Sequence, residues 1–318
     1  MLKLTNLEKI YRTEEIETVA LNKLSIEVKQ GEFVAIMGPS GCGKSTLLNI
    51  IGLLDDADSG SFLFNGEEVI KYNERKRADL RKRNIGFVFQ SFNLIDELTV
   101  YENIDFFCGL YIKDKDARKK LVEEAIDFAG LREYMKYRPK KLSGGLLRRL
   151  NIACGIAHKP KLIIFDEPTV AVDPQSRNAI LEGIRSLNHN GATIIYTSHY
   201  MEEVEELCSR IVIMDRGRNV TEGTATKLKA SLKNRETIIV DIKNASDEIV
   251  NGIKEINHIY DVRESGEKLI IKCDGGTHNL VHVMNYLMEK NVDFGRVNSE
   301  LPTLNDVFLE ITGKELRD

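Results

Sequence analysis

Long apolar runs are missing from this 318-residue chain: nothing approaches the ~20 consecutive apolar residues that span a bilayer. The strongest runs, Phe33-Val-Ala-Ile-Met37 and Leu162-Ile-Ile-Phe165, have the length of strands. The start, Met1-Leu-Lys-Leu-Thr-Asn6, lacks the apolar stretch of a signal peptide. Such a chain is expected in the cytoplasm, reaching a membrane only through a partner. Cysteine is sparse and scattered. Cys42, Cys108, Cys154, Cys208 and Cys273 are odd in number and form no Cys-x-x-Cys pair, which suits free thiols in a reducing compartment. Charge of one sign is also lacking: 45 Lys and Arg against 49 Asp and Glu leave −4, a poor match for a protein that coats nucleic acid. No internal repeat or low-complexity tract is present. What is there, 42% hydrophobic and 30% charged residues, is ordinary for a globular protein with room for two domains.

The order of patterns divides the chain. Residues 1–28 alternate apolar and polar positions, as in strands of a half-exposed antiparallel sheet. Glu32–Met37 is a buried-type strand, and helical spacing follows over Lys44–Leu54. A polar, basic stretch, Asn65–Arg83, reads as a solvated face. Helical periodicity dominates from Phe92 to His158. Strands at Leu162–Asp166, Thr193–Thr197 and Arg210–Met214 then alternate with helices at Pro174–Asn188 and Met201–Cys208, the order of an α/β domain with a largely parallel sheet. The helix from Met201 reads as an exposed acidic face with no chemistry. Residues 227–235 read as a linker. Beyond it, 236–318 repeats strand and helix in a βαββαβ order, which suits a small ferredoxin-like α+β domain.

Two motifs carry chemistry. Gly38-Pro-Ser-Gly-Cys-Gly-Lys-Ser45 fits G-x-x-x-x-G-K-[ST] between a buried strand and a helix. Gly38, Ser40, Gly41, Cys42 and Gly43 let main-chain N–H groups wrap a polyphosphate at the positive end of the helix. Lys44 can reach the β and γ phosphates, Ser45 can ligate Mg²⁺, and Thr46 adds a hydroxyl near the α phosphate. Cys42 here is a small loop residue rather than a reactive thiol. Leu162-Ile-Ile-Phe-Asp166-Glu167 supplies the second part. Asp166 would hold Mg²⁺ through its water shell, and Glu167 would polarise an attacking water.

Further motifs resemble those of ABC (ATP-binding cassette) ATPases. Leu142-Ser-Gly-Gly145 is similar to the family's signature loop, Gln90 to its Q-loop, Asp173 to its D-loop residue and His199 to its switch histidine. Tyr11 lies where the family stacks an aromatic on adenine. The resemblance spans residues 1–226. It implies a P-loop NTPase with a RecA-like core, an antiparallel β-subdomain and a helical subdomain at about 92–158. It also implies ATP and Mg²⁺ as cofactors, with Ser45, Gln90 and Asp166 at the metal. Two subunits would pair head to tail, as a homodimer, with ATP between the phosphate loop of one and Ser143, Gly144 and Gly145 of the other. Gln90 would sense metal and water, His199 would contact the γ phosphate, and Asp173 would link the two sites. The partners so implied are a second ATP-binding subunit and separate transmembrane permease subunits, at the cytoplasmic face of the membrane. No nucleic acid is expected.

The first half, to about Asn103, resembles the lipoprotein-release and macrolide-export type. The second half and the ending Leu301-Pro-Thr-Leu-Asn-Asp-Val-Phe308 resemble ABC-2 drug exporters, which carry a C-terminal extension. The sequence departs from the family at Leu146, where Gln is usual, and at Ala171, where Gly is common; the latter reads as a change without clear cost. The expectation is an ATPase subunit powering an exporter. The alternative is a soluble ABC ATPase acting on nucleic acid or ribosomes. It is disfavoured by the single nucleotide-binding domain, the lack of a long heptad arm and the acidic charge.

Overall fold

The computed structural model describes residues 1–12, 17–232, 235–243 and 245–313. Residues 13–16, within the half that resembles the macrolide-export type, lie outside the described residues, as do residues 233–234 of the expected linker and the tail, 314–318. The chain divides into two compact units, Met1–Thr224 and Ala225–Gly313.

The first unit begins β1 (Leu2–Arg12), β2 (Glu17–Val28), β3 (Phe33–Met37), α1 (Lys44–Ile51), β4 (Ser59–Phe64), β5 (Glu67–Glu68), α2 (Glu74–Asn84) and β6 (Ile85–Val88). Three helices follow, α3 (Val100–Gly109), α4 (Lys115–Phe128) and α5 (Gly144–Ile156). The unit ends β7 (Leu162–Asp166), α6 (Pro174–His189), β8 (Thr193–Thr197), α7 (Met201–Leu207), β9 (Arg210–Asp215) and β10 (Arg218–Gly223).

Burial explains the two sheets. β1 and β2 alternate buried and exposed positions and pair antiparallel, with Leu4 opposite Ile26 and, on the other side, Phe62 of β4. This gives a sheet ordered β2-β1-β4-β5 with one wet face. All five residues of β3 and of β8 are buried. They sit inside a six-stranded sheet ordered β10-β9-β3-β8-β7-β6, in which every neighbouring pair but β10-β9 is parallel. Leu47, Leu48, Ile50 and Ile51 of α1 share one core with both sheets. Helices α3, α4 and α5 share another, through Ile104, Val122, Ile126 and Leu150. The expected α/β core, antiparallel sheet and helical region are therefore all present.

The basic stretch Asn65–Arg83, expected as a solvated face, contains helix α2. Its apolar periodicity is nearly nil, and it is held instead by an Asn73 N-cap that accepts from Lys76 N at 3.0 Å and by Arg81, which pairs with Glu74.

The second unit runs α8 (Ala225–Ala230), β11 (Arg235–Ile242), α9 (Asp247–Lys254), β12 (Ile259–Ser265), β13 (Lys268–Asp274), α10 (Asn279–Glu289), β14 (Phe294–Glu300) and α11 (Leu304–Thr312). Its antiparallel sheet is ordered β12-β13-β11-β14, the arrangement of a ferredoxin-like βαββαβ unit. Ile249, Ile253, Val283 and Leu287 of α9 and α10 pack with Ile238, Val240 and Ile271 of the sheet. Of the expected linker 227–235, residues 227–232 and 235 are described. The stretch starts inside α8, which lies against α11 and buries Leu228, and its last residue opens β11.

Candidate nucleotide site

The carboxyl ends of four adjacent parallel strands, β3, β8, β7 and β6, face one way, so the loops leaving them meet at one place. The glycine loop after β3 is forced by close packing. Gly43 has φ 103°, and a Cβ there would stand 2.3 Å from the Ala20 carbonyl oxygen. A Cβ on Gly38 would lie 2.5 Å from the Met214 carbonyl oxygen. Lys44 begins α1, and its Nζ donates to the carbonyls of Gly38 at 2.7 Å and Pro39 at 3.2 Å. The Cys42 side chain points into the core, 3% exposed, and burial pushes its thiol pKa up. Its contribution to the loop is its backbone, as expected of a small loop residue.

Opposite the loop, Asp166 ends β7 and accepts a hydrogen bond from Thr197 Oγ1 of β8 at 2.8 Å. Glu167 follows in a left-handed conformation, φ 49°, and its N–H is taken up by Thr197. That backbone turns the Glu167 carboxylate between two partners. Gln90 Nε2 donates to one oxygen at 2.8 Å, and His199 Nε2 donates to the other at 2.5 Å. A left-handed backbone costs a non-glycine residue about 1–2 kcal/mol, which the surrounding bonds must offset.

Gln90 itself is fixed from behind. Arg148 of α5 is buried and donates to the carbonyls of Phe89 at 3.1 Å and Gln90 at 2.8 Å, and Asn151 donates to Phe89 at 3.1 Å. Burial lowers the Arg148 pKa, while the Glu167 charge opposes that shift. The sequence reading missed Arg148; the available signal was Arg148 and Asn151, two polar residues spaced to share one face of a helix. Tyr11 stands at the rim, 42% exposed. Its hydroxyl donates to Asp55 at 2.8 Å, and Lys9 holds the same carboxylate at 2.8 Å. Burial, then the Asp55 contact, raise the tyrosine pKa, although its bond with Thr46 pulls the other way.

Tyr11, Ser40, Gly41, Gly43, Lys44, Ser45, Thr46, Gln90, Asp166, Glu167 and His199 all line one cleft of about 660 Å³. A more apolar hollow of about 530 Å³ elsewhere in the unit, between Phe128, Ile156 and Leu187, contains none of these groups.

Six expected site residues lie outside the cleft lining: Gly38 and Cys42, which belong to the glycine loop itself, and Ser143, Gly144, Gly145 and Asp173. The last four form a group of their own. Ser143 caps α5, accepting from Leu146 N at 3.3 Å, and Asp173 caps α6, accepting from Ser176 N at 2.9 Å. That amide bond holds the Asp173 pKa below the ordinary carboxylate value. A Cβ on Gly145 would stand 2.2 Å from Ser176 Oγ and 3.0 Å from Asp173 Oδ2, so the two loops are pressed together there. Leu146, in the place of a polar residue, packs against the helical core. Ala171 has φ 58°, and its expected lack of cost is corrected: it carries backbone strain that glycine would not. The helix from Met201 is corrected too, because Glu203 on it is only 2% exposed.

Among the described residues no group of three or more His, Cys, Asp and Glu side chains converges as a metal site. The donors that the cleft does offer are oxygens: the Ser45 hydroxyl, the Gln90 amide and the Asp166 carboxylate. Few carboxylates beside a polyphosphate pocket fit magnesium, which keeps several waters and takes phosphate oxygens as ligands.

Comparison with known proteins agrees with this geometry. Residues 21–170 match the family model described as ABC transporter, and residues 223–312 match that of the ATP-binding protein DrrA1-3-like, C-terminal domain. The linearmycin resistance ATP-binding protein LnrL of Bacillus subtilis is 37% identical over the whole of both chains. The macrolide export ATP-binding/permease protein MacB of Pasteurella multocida is 34% identical over 71% of this chain and 35% of its own. Among solved structures, the dimeric post-hydrolysis state of the ATP-binding cassette MJ0796 bound to ADP and Pi has a TM-score of 0.66. It is 34% identical and covers 70% of this chain and 98% of that one.

Proposed function

The chain belongs to the ATP-binding proteins of ABC transporters, and from that premise we propose that it is the ATP-hydrolysing motor of an exporter whose membrane-spanning part is a separate chain. The observation that carries the proposal is the Glu167 carboxylate, held between Gln90 and His199 in the cleft that Lys44, Ser45 and Asp166 also line. Glycine-loop amides and the Lys44 ammonium bind the polyphosphate, and Tyr11 stacks on the base. Ser45, Asp166 and Gln90 would hold Mg²⁺, which would supply charge neutralisation to the polyphosphate. Glu167 orients a water on the γ phosphorus and accepts its proton; His199 fixes that carboxylate and meets the γ phosphate.

Ser143, Gly144 and Gly145 act on the nucleotide of a second copy. They cap the γ phosphate there from the N-terminus of α5, and Asp173 joins the two sites. The separation of this group from the cleft supports the reading, since Ser143, Gly144 and Asp173 are exposed there to a neighbour, while Gly145 packs beneath them against Ser176. Residues 1–226 form the nucleotide-binding part and 236–318 the accessory domain. Among the described residues no helix is long and apolar enough to cross a membrane. The reading assigns the transport path to the partner and the motor to the cytoplasmic face. Export is favoured by the end-to-end likeness to a resistance protein and by the likeness of 71% of the chain to a macrolide export protein.

The test is ATP turnover by Glu167→Gln. The variant is expected to bind Mg-ATP, to dimerise on it and to hydrolyse about 10²–10⁴-fold more slowly. Equal rates would remove Glu167 as the base. Co-purification of the wild-type chain with an integral membrane subunit tests the transport half of the reading.

A further inference from the structure

A buried carboxylate needs partners for its oxygens, and Glu203 has an unusual set. One oxygen, Oε2, accepts from three hydroxyls: Thr169 at 3.0 Å, Tyr196 at 2.7 Å and Ser198 at 2.7 Å. The other, Oε1, takes Arg177 Nε at 2.5 Å. These donors come from four places. Thr169 lies two residues beyond Glu167. Tyr196 is in β8. Ser198 precedes His199. Arg177 is in the first turns of α6, behind Asp173. Tyr200, on the other side of His199, is held by the same group, since its N–H donates to Ser198 Oγ at 3.0 Å and its ring lies 3.6 Å beneath the Arg177 guanidinium. Burial and the Glu203 charge raise the Tyr196 pKa well above its ordinary value, so that phenol stays a donor.

We infer that Glu203 is a positioning residue for hydrolysis, joining the segments that carry Glu167, His199 and Asp173 into one rigid frame. It does not line the nucleotide cleft. It acts by fixing both neighbours of His199 and the turn after Glu167, and so the distance at which these two side chains meet. Plain space filling does not require a carboxylate here. An apolar side chain of equal size would fill the volume without the cost of burying a charge, but it would release all four donors. Arg177 gives the frame a second use: it ties the catalytic turn to the helix capped by Asp173, so a displacement of that helix is felt at His199.

The inference rests on the proposed function, and the experiment separates the two. ATP hydrolysis by the full chain is measured with kcat and KM resolved, alongside ATP affinity by equilibrium dialysis and thermal unfolding. If the wild-type chain hydrolyses nothing, the motor reading fails and this inference falls with it. With an active wild type, Glu203→Gln is expected to lower kcat by about 10²-fold, the cost of misplacing reactive groups by about an ångström, with KM and ATP affinity unchanged. Thr169→Val and Arg177→Met, which remove one arm each, are expected to give smaller falls in kcat only, and they decide the matter should Glu203→Gln not fold. In a His199→Ala background Glu203→Gln is expected to cost less than in the wild type, because part of its effect passes through that histidine. The inference is overturned by wild-type kcat in folded Glu203→Gln, by wild-type kcat in both single-arm variants, or by an undiminished loss in the His199→Ala background.

Discussion

Replacing Ala171 by glycine is expected to stabilise the first unit, against the usual effect of that change. Ala171 sits at φ 58° with its side chain exposed, so no packing offsets the clash of its Cβ with the following carbonyl. The left-handed conformation costs an L-residue about 1–2 kcal/mol. Glycine adds unfolded-state freedom worth about 0.4–1 kcal/mol, which works against the gain. The balance is a stabilisation of about 1 kcal/mol, or about 2–4 °C in the melting temperature of a unit of this size. Ala179→Gly is the internal control. Ala179 is exposed too but lies inside α6, where the same change is expected to destabilise by about 1 kcal/mol. Calorimetry of the full chain, with hydrogen exchange of the β7 amides to report on the first unit, measures both. Shifts of the same sign would refute the argument, because it depends entirely on the different backbone at the two sites.

Two other outcomes are expected. His158 is buried and stacked on Tyr111 at 3.7 Å, its Nε2 lies 3.1 Å from the Ile85 carbonyl oxygen, and burial pushes its pKa down to about 4. The unfolded chain therefore takes up a proton near pH 6.5 that the folded chain refuses until about pH 4, so stability falls as the pH drops through that window, by about 3 kcal/mol in all. His158→Gln should flatten that slope in urea titrations at pH 7 and pH 4.5; an unchanged slope would count against it. All five cysteines are buried, and burial raises their thiol pKa values, to about 11 for Cys108 and Cys273. A thiol reagent at pH 8 should label the native chain slowly and all five positions in denaturant; rapid labelling of the native chain would contradict the burial.

What could be read from the sequence followed the range of the interactions. Gly38–Ser45 and Asp166-Glu167 are contiguous, each beside a strand whose residues are all apolar, so local pattern sufficed. In the second unit the alternation of apolar strand segments, Ile238–Val240 and Leu269–Ile271, with helix-spaced apolar residues in α9 and α10 made the βαββαβ order legible. Helix α2 was not, since its stabilising groups are an N-cap and ion pairs rather than an apolar stripe. The polar edge strand β10 was missed for a similar reason: its residues alternate between exposed and half-buried, and its pairing with β9 supplies what its side chains do not. Glu203 looked like one acid among four on a short helix. Its partners at 169, 177, 196 and 198 become its neighbours only when β7, β8 and α6 are assembled. Ala171 was misjudged because its cost resides in a dihedral angle, to which residue size is no guide.

The order of the large sheet has an evolutionary consequence. The loops that line the cleft leave β3, β6, β7 and β8, and the chain passes on to residues beyond 224 only after β10, the outermost strand on the far side. A tailpiece added there needs no strand to be threaded between existing ones and no reactive turn to be reshaped. Lineages can thus graft, lengthen or discard such appendages while the engine stays as it was.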